Sequence, residues 1–94
     1  MKEFVHNDEE LRKYLKMMII DTLRIDYITA EQIDDHEPLF VEGLGLDSID
    51  ALELVVAIEK IFSIVIQDED VGKRAFASVD ALSRFIQEEV RKRP

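Results

Sequence analysis

The chain has 94 residues, 47% of them apolar, which suits one domain around a single modest core. Its 12 basic and 21 acidic residues give a net charge of -9, which disfavours nucleic acid and anionic membranes and favours basic protein patches as partners. With no cysteine, a disulfide framework, a thiolate nucleophile and a zinc-thiolate site are excluded.

The stretch from Met1 to Glu10 is charged, unlike the apolar core of a secretion signal. Apolar runs such as Met17 to Ile20 are far too short to span a bilayer. A cytoplasmic protein with no membrane insertion is expected. A first helix is predicted from about Asn7 or Asp8 to about Leu23. Asn7 can cap it, and Asp8, Glu9 and Glu10 suit the positive end of its dipole. Leu11, Leu15, Met18, Ile19 and Thr22 or Leu23 recur at helical spacing and form a stripe that needs a core. Arg12, Lys13 and Lys16 fall on the other side.

From Arg24 to Asp47 the periodicity fails, and Asp34, Asp35, Glu37, Pro38, Gly43 and Gly45 are turn and loop residues. A loop of roughly twenty residues in so small a domain is normally functional. Ile25, Ile28, Ile33, Leu39, Phe40 and Leu44 are scattered through it, which implies a loop pinned onto the core. Thr29 followed by Gln32 resembles a capping box and marks a short helical turn between Thr29 and Ile33.

A second helix should start at Asp47-Ser48, with Asp47 as N-cap, and run to about Phe62. The segment from Ile64 to Gln67 has strand propensity but no partner strand, so it is expected to be an extended connector. Asp68, Glu69 and Asp70 open a short third helix that Gly72 weakens. A final helix from about Ser78 to Val90 carries Ala81, Leu82, Phe85, Ile86 and Val90 as its stripe. The fold class is therefore all-α, a four-helix bundle with a long loop between helices 1 and 2 and a short third helix. Residues 1–94 are expected to form one domain.

The second helix has more apolar residues than one core face requires. Leu54, Val55, Ile58, Ile61 and Phe62 form one stripe, while Ile49, Leu52 and Val56, at i, i+3 and i+7, form another. Asp50, Glu53 and Glu59 surround the second stripe. It is either additional core under the long loop or a helix face offered to a groove with apolar and basic walls.

Just before this helix lies Gly43-Leu44-Gly45-Leu46-Asp47-Ser48. The glycines allow a sharp turn, and Ser48 emerges where the loop meets the helix. A phosphodiester on Ser48 would lie at the positive end of the dipole, beside unpaired amide donors. A nucleophilic hydrolase is disfavoured, because Leu46 and Asp50 stand where Gly-x-Ser-x-Gly has glycines. The only imidazoles are His6, near the terminus, and His36, in the acidic loop. The clusters Asp34-Asp35-His36-Glu37 and Asp68-Glu69-Asp70 lack calcium-loop spacing, and no structural metal is expected.

The run Gly45-Leu46-Asp47-Ser48-Ile49-Asp50, followed by Glu53-Leu54 and Ile58-Glu59, strongly resembles the attachment motif of acyl carrier proteins. The resemblance continues through Phe62, Ile66 and Asp68-Glu69-Asp70 to the final helix. It implies a monomeric carrier without catalytic activity, whose Ser48 receives phosphopantetheine from coenzyme A through a phosphopantetheinyl transferase. The thiol of the arm would then hold acyl groups as thioesters. It further implies that Asp47 helps engage the transferase and its metal. Ile49, Asp50, Leu52, Glu53 and Val56 would dock synthases, reductases, dehydratases or acyltransferases through their basic patches. Leu54, Ile58, Phe62 and Phe85 are candidate lining for a sheltered acyl chain, and equally good plain core.

Leu46 replaces a residue that is frequently small in this family, and Lys60 and Ile61 replace frequent acids. Lys73, Arg74 and the Arg91-Lys92-Arg93 tail add positive charge. The run from Phe40 to Gly45 looks like that of carriers devoted to secondary lipid or polyketide pathways. A peptidyl or aminoacyl carrier shares the fold and arm, but the strong acidity argues against it. An unmodified helical interaction module would be expected to have lost the serine that stands here after Asp47.

Overall fold

The computed structural model describes residues 7–40 and 45–92. Four helices follow in order: α1 (Asp8–Leu23), α2 (Ser48–Phe62), α3 (Glu69–Ala75) and α4 (Val79–Arg91), with a single 3₁₀ turn (Ala30–Gln32) between α1 and α2. This is the expected all-α arrangement, with its long first crossover and short third helix. Helix α1 packs against both α2 and α4, and α3 packs against α4.

Each helix begins at a side-chain cap. Asn7 Oδ1 accepts from Glu10 N at 3.1 Å, Asp68 Oδ1 from Val71 N at 2.9 Å, and Ser78 Oγ from Ala81 N at 3.1 Å. Such caps each contribute about 1 kcal/mol relative to alanine, and the apolar stripes contribute the rest. Helix α1 ends at Arg24 and α2 at Ser63, both left-handed, with φ of 53° and 55°. Glycine is the usual residue at such a stop. Ile25 N nonetheless bonds Ile20 O at 3.0 Å, which closes the end of α1.

The core joins Leu11, Leu15, Met18 and Ile19 of α1 to Leu54, Ile58 and Phe62 of α2 and Val79, Leu82 and Ile86 of α4. Tyr14 meets Phe62 edge to face, with ring centroids 6.1 Å apart. The crossover adds Ile33, Leu39 and Leu46, all buried, so it is pinned as its scattered apolar residues suggested. Burying one such side chain stabilises the fold by about 1.5–3 kcal/mol. Leu44, also expected to contribute, lies outside the described residues together with Gly43, His6 and Arg93.

Backbone bonds locate the crossover. Leu39 N donates to Ala77 O at 3.2 Å, Leu46 N to Leu39 O at 3.0 Å, and Asp80 N to Asp35 O at 2.8 Å. Thr29 N donates to Gln32 Oε1 at 2.8 Å, as the capping signal implied. Asp35 also binds α1 directly, with Arg12 Nε at 2.9 Å and Lys16 Nζ at 2.6 Å from its carboxylate. Arg12 and Lys16 are therefore half-buried under the crossover. A helical pattern distinguishes faces but does not reveal what covers the polar one.

The segment from Ile64 to Gln67 is a connector in neither helix nor strand, with Ile64 buried. Glu59 Oε2 accepts from Ile66 N at 2.9 Å and ties the connector back to α2. Helix α3 continues through Gly72 despite a cost of about 1 kcal/mol relative to alanine at an interior position.

The hydrogen bond from Lys16 holds the Asp35 carboxyl below the usual aspartate pKa; burial opposes this, while the charges of Lys16 and Arg12 reinforce it. A lowered folded-state pKa contributes stability that is present above the unfolded value, about 3.9, and is lost as pH falls through the folded one. Asp35→Asn keeps the backbone bond from Asp80 and removes only the charge. It should cost about 0.5–1 kcal/mol at neutral pH, a surface-pair magnitude. Urea unfolding should show the gap from wild type closing as pH falls below the unfolded value of about 3.9.

Candidate functional site

Gly45 has φ of 70°, a left-handed conformation that glycine adopts without penalty, just ahead of α2. Leu46 then turns inward, 5% exposed, and makes an isolated parallel bridge with Phe40. With Leu46 anchored, the chain emerges at Asp47 and Ser48, both exposed.

Asp47 caps α2 with Oδ1, which accepts from Ile49 N and Asp50 N, each at 3.0 Å. Asp50 Oδ2 accepts in return from Asp47 N at 3.1 Å, completing a reciprocal box. Ala51 N bonds Asp47 O at 3.0 Å. The expectation of unpaired amides beside Ser48 is thus corrected: the carboxylate of Asp47 already occupies two of them. The helix dipole and the Ser48 amide itself remain. Among the described residues, the Ser48 hydroxyl makes no hydrogen bond, and it stands free on the first turn.

The two stripes of α2 separate cleanly. Leu54, Ile58 and Phe62 are buried, whereas Ile49, Leu52 and Val56 are 69%, 64% and 43% exposed. The second stripe therefore lies at the surface rather than under the crossover. Of the acids around it, Asp50 is held in the cap and Glu59 on the connector. Glu53 is exposed and makes no hydrogen bond or ion pair among the described residues.

An apolar groove of about 580 Å³ opens beside Ser48. Phe40 and Leu46 of the crossover, Ala51, Leu52 and Val55 of α2, Ile66 of the connector, and Gly72 and Phe76 line it. Asp47, Ser48, Asp68, Glu69 and Lys73 supply its polar border. The four residues named as candidate acyl-chain lining, or equally as plain core, lie elsewhere. Leu54, Ile58 and Phe62 are sealed in the bundle core, and Phe85 is half-buried on α4. None of the four borders the groove. Periodicity identified one inward face of α2, but the groove lies to its side, on a flank that α3 and the connector create.

A second, polar depression is lined by Lys16 and residues 31–36. His36 lies there, with Nδ1 3.9 Å from Asp80 Oδ2, beside the Asp35 contacts rather than in the groove with Ser48. Among the described residues no three His, Asp or Glu side chains are placed to hold a metal ion. No helix among them is long and apolar enough to cross a membrane.

The surroundings of Ser48 fit a covalent arm: a hydroxyl unbonded among the described residues, a firmly capped helix beneath it, and an apolar groove alongside. A family model described as "Phosphopantetheine attachment site" matches residues 13–86, from within α1 to within α4. The acyl carrier protein of Wolinella succinogenes is 37% identical over 73 residues, covering 78% of this chain and 88% of that protein. By both the family match and this identity, the chain belongs to the acyl carrier proteins, which carry phosphopantetheine and are not themselves catalysts.

Proposed function

We propose that Ser48 bears the phosphopantetheine arm and that the protein presents acyl thioesters to enzymes of fatty-acid, lipid or polyketide synthesis. The observation that carries this reading is the free Ser48 hydroxyl at the border of a mainly apolar groove. Its volume, about 580 Å³, lies in the range of ligand-sized pockets. Such a groove favours a hydrocarbon cargo over an aminoacyl one, because a buried ammonium or amide would lack partners there.

In loading, the Ser48 hydroxyl oxygen bonds to the phosphorus nearest the pantetheine of coenzyme A. The pyrophosphate P–O bond breaks, adenosine bisphosphate leaves with the electron pair, and the serine proton passes to a base of the transferase. The attached group supplies a terminal thiol for thioester formation. Asp47 Oδ1 keeps α2 capped throughout, while Oδ2, which accepts no hydrogen bond among the described residues, is available to the transferase and its metal. Ile49, Leu52 and Val56 form the apolar centre of the docking face. Glu53 is its uncommitted acid, with Asp50 at the edge. Synthases, reductases, dehydratases and acyltransferases with an apolar socket and basic rim suit that face. The -9 charge and the helical domain accord with a monomer in the cytoplasm.

Intact-protein mass after incubation with coenzyme A, magnesium and a broad-specificity transferase tests the attachment. One phosphopantetheine should be added to wild type and none to Ser48→Ala, whose circular dichroism should be unchanged. No addition to folded wild type, even with its cognate transferase, would instead support an unmodified interaction module. Asp47→Asn should preserve the cap but slow loading, whereas Asp47→Ala should also lose about 1 kcal/mol of stability. Leu52→Arg should leave melting within about 0.5 kcal/mol of wild type, as an exposed position allows. Transfer from the loaded variant to a partner synthase should be slowed; unchanged transfer kinetics would remove the docking role.

A further inference from the structure

Gly72 has no backbone reason to be glycine. It lies inside α3, and among the described glycines only Gly45 has a positive φ. A Cβ at residue 72 would meet one side-chain atom, Ile66 Cγ2, at 3.6 Å, which is ordinary van der Waals contact. Neither strain nor a close backbone approach therefore requires glycine there. Yet α3 has only seven residues, and an interior glycine weakens it. What distinguishes the position is its surroundings. Gly72 and Ile66 both line the groove beside Ser48, so a side chain at 72 would start from the groove wall toward another wall residue.

We propose that Gly72 leaves room for cargo, and that the size of residue 72 sets the longest acyl chain the carrier shelters. This rests on the reading of the groove as the shelter for an acyl chain held on Ser48. Methylenes that enter the groove leave water, and the thioester behind them becomes less accessible to nucleophiles. A side chain at 72 takes up groove volume, so a long chain loses buried methylenes that a short one, fitting in the remaining space, keeps. Pliancy of α3 is the competing reason for a glycine. The two separate by size, since alanine and leucine both favour helix but differ greatly in volume.

The test uses full-length wild type, Gly72→Ala and Gly72→Leu, each loaded on Ser48 with butanoyl, octanoyl or dodecanoyl groups from the matching acyl-coenzyme A. Melting temperature and the rate of thioester cleavage by hydroxylamine are read for each. In wild type, longer chains should raise the melting temperature and slow cleavage. Gly72→Leu should cleave the dodecanoyl form about tenfold faster than wild type, the effect of displacing roughly two buried methylenes. Butanoyl cleavage should be unchanged, and Gly72→Ala should fall between. Should Gly72→Leu not fold, Gly72→Met supplies the bulk with a more adaptable side chain.

If wild type shows chain-length protection and the variants reproduce it, the role of Gly72 is overturned while the shelter reading stands. If alanine and leucine shift the profile equally, pliancy replaces room as the reason, and the inference fails. If wild type shows no chain-length dependence, the shelter reading fails and takes the inference with it.

Discussion

Asp35 is where three parts of this chain meet. Its carboxylate takes Arg12 and Lys16 of α1, and its carbonyl takes the amide of Asp80 at the start of α4. A long crossover carries a large conformational freedom that must be removed before anything at its end can be positioned. The Asp35 contacts, the Leu39–Ala77 bond and the buried Ile33, Leu39 and Leu46 remove it stepwise. The ion pairs lie partly in solvent, so burial supplies most of the energy while the pairs and backbone bonds supply the register. Ser48 sits at the end of this series. It is exposed because Leu46, two residues earlier, is anchored inward.

Helix α2 carries three surfaces at once. One side seals the core with Leu54, Ile58 and Phe62, one presents Ile49, Leu52 and Val56 to solvent, and one borders the groove through Ala51 and Val55. Its acids are divided in the same way. Asp47 and Asp50 hold the helix start and Glu59 holds the connector, whereas Glu53 is exposed and bonds to none of the described residues. The local charge available to a partner is thus smaller than the number of carboxylates suggests.

Much of this architecture was legible in the residues. Asn7, Asp47, Asp68 and Ser78 are strong local caps, and each opens a helix where expected. The turn at Thr29–Gln32 was visible for the same reason: the signal involves neighbours a few residues apart. The two stripes of α2 followed from its period, and their separation into buried and exposed faces agrees with that pattern. The groove was not legible, and Leu54, Ile58, Phe62 and Phe85, read as acyl-chain lining or plain core, do not border it. Its actual walls come from the crossover, α2, the connector and α3. Likewise, Gly72 signalled only a weak helix, because nothing in its local sequence places Ile66 opposite it.

By itself the sequence determined the helices, their starts, the motif around Ser48 and the inward stripe, since caps and periodicity are short-range properties of consecutive residues. Tertiary structure alone decided that the crossover covers Arg12 and Lys16 and that an apolar groove opens at Ser48. Those outcomes depend on how separate elements approach one another and on which donor reaches an acceptor first. Spacing along one helix does not encode that approach.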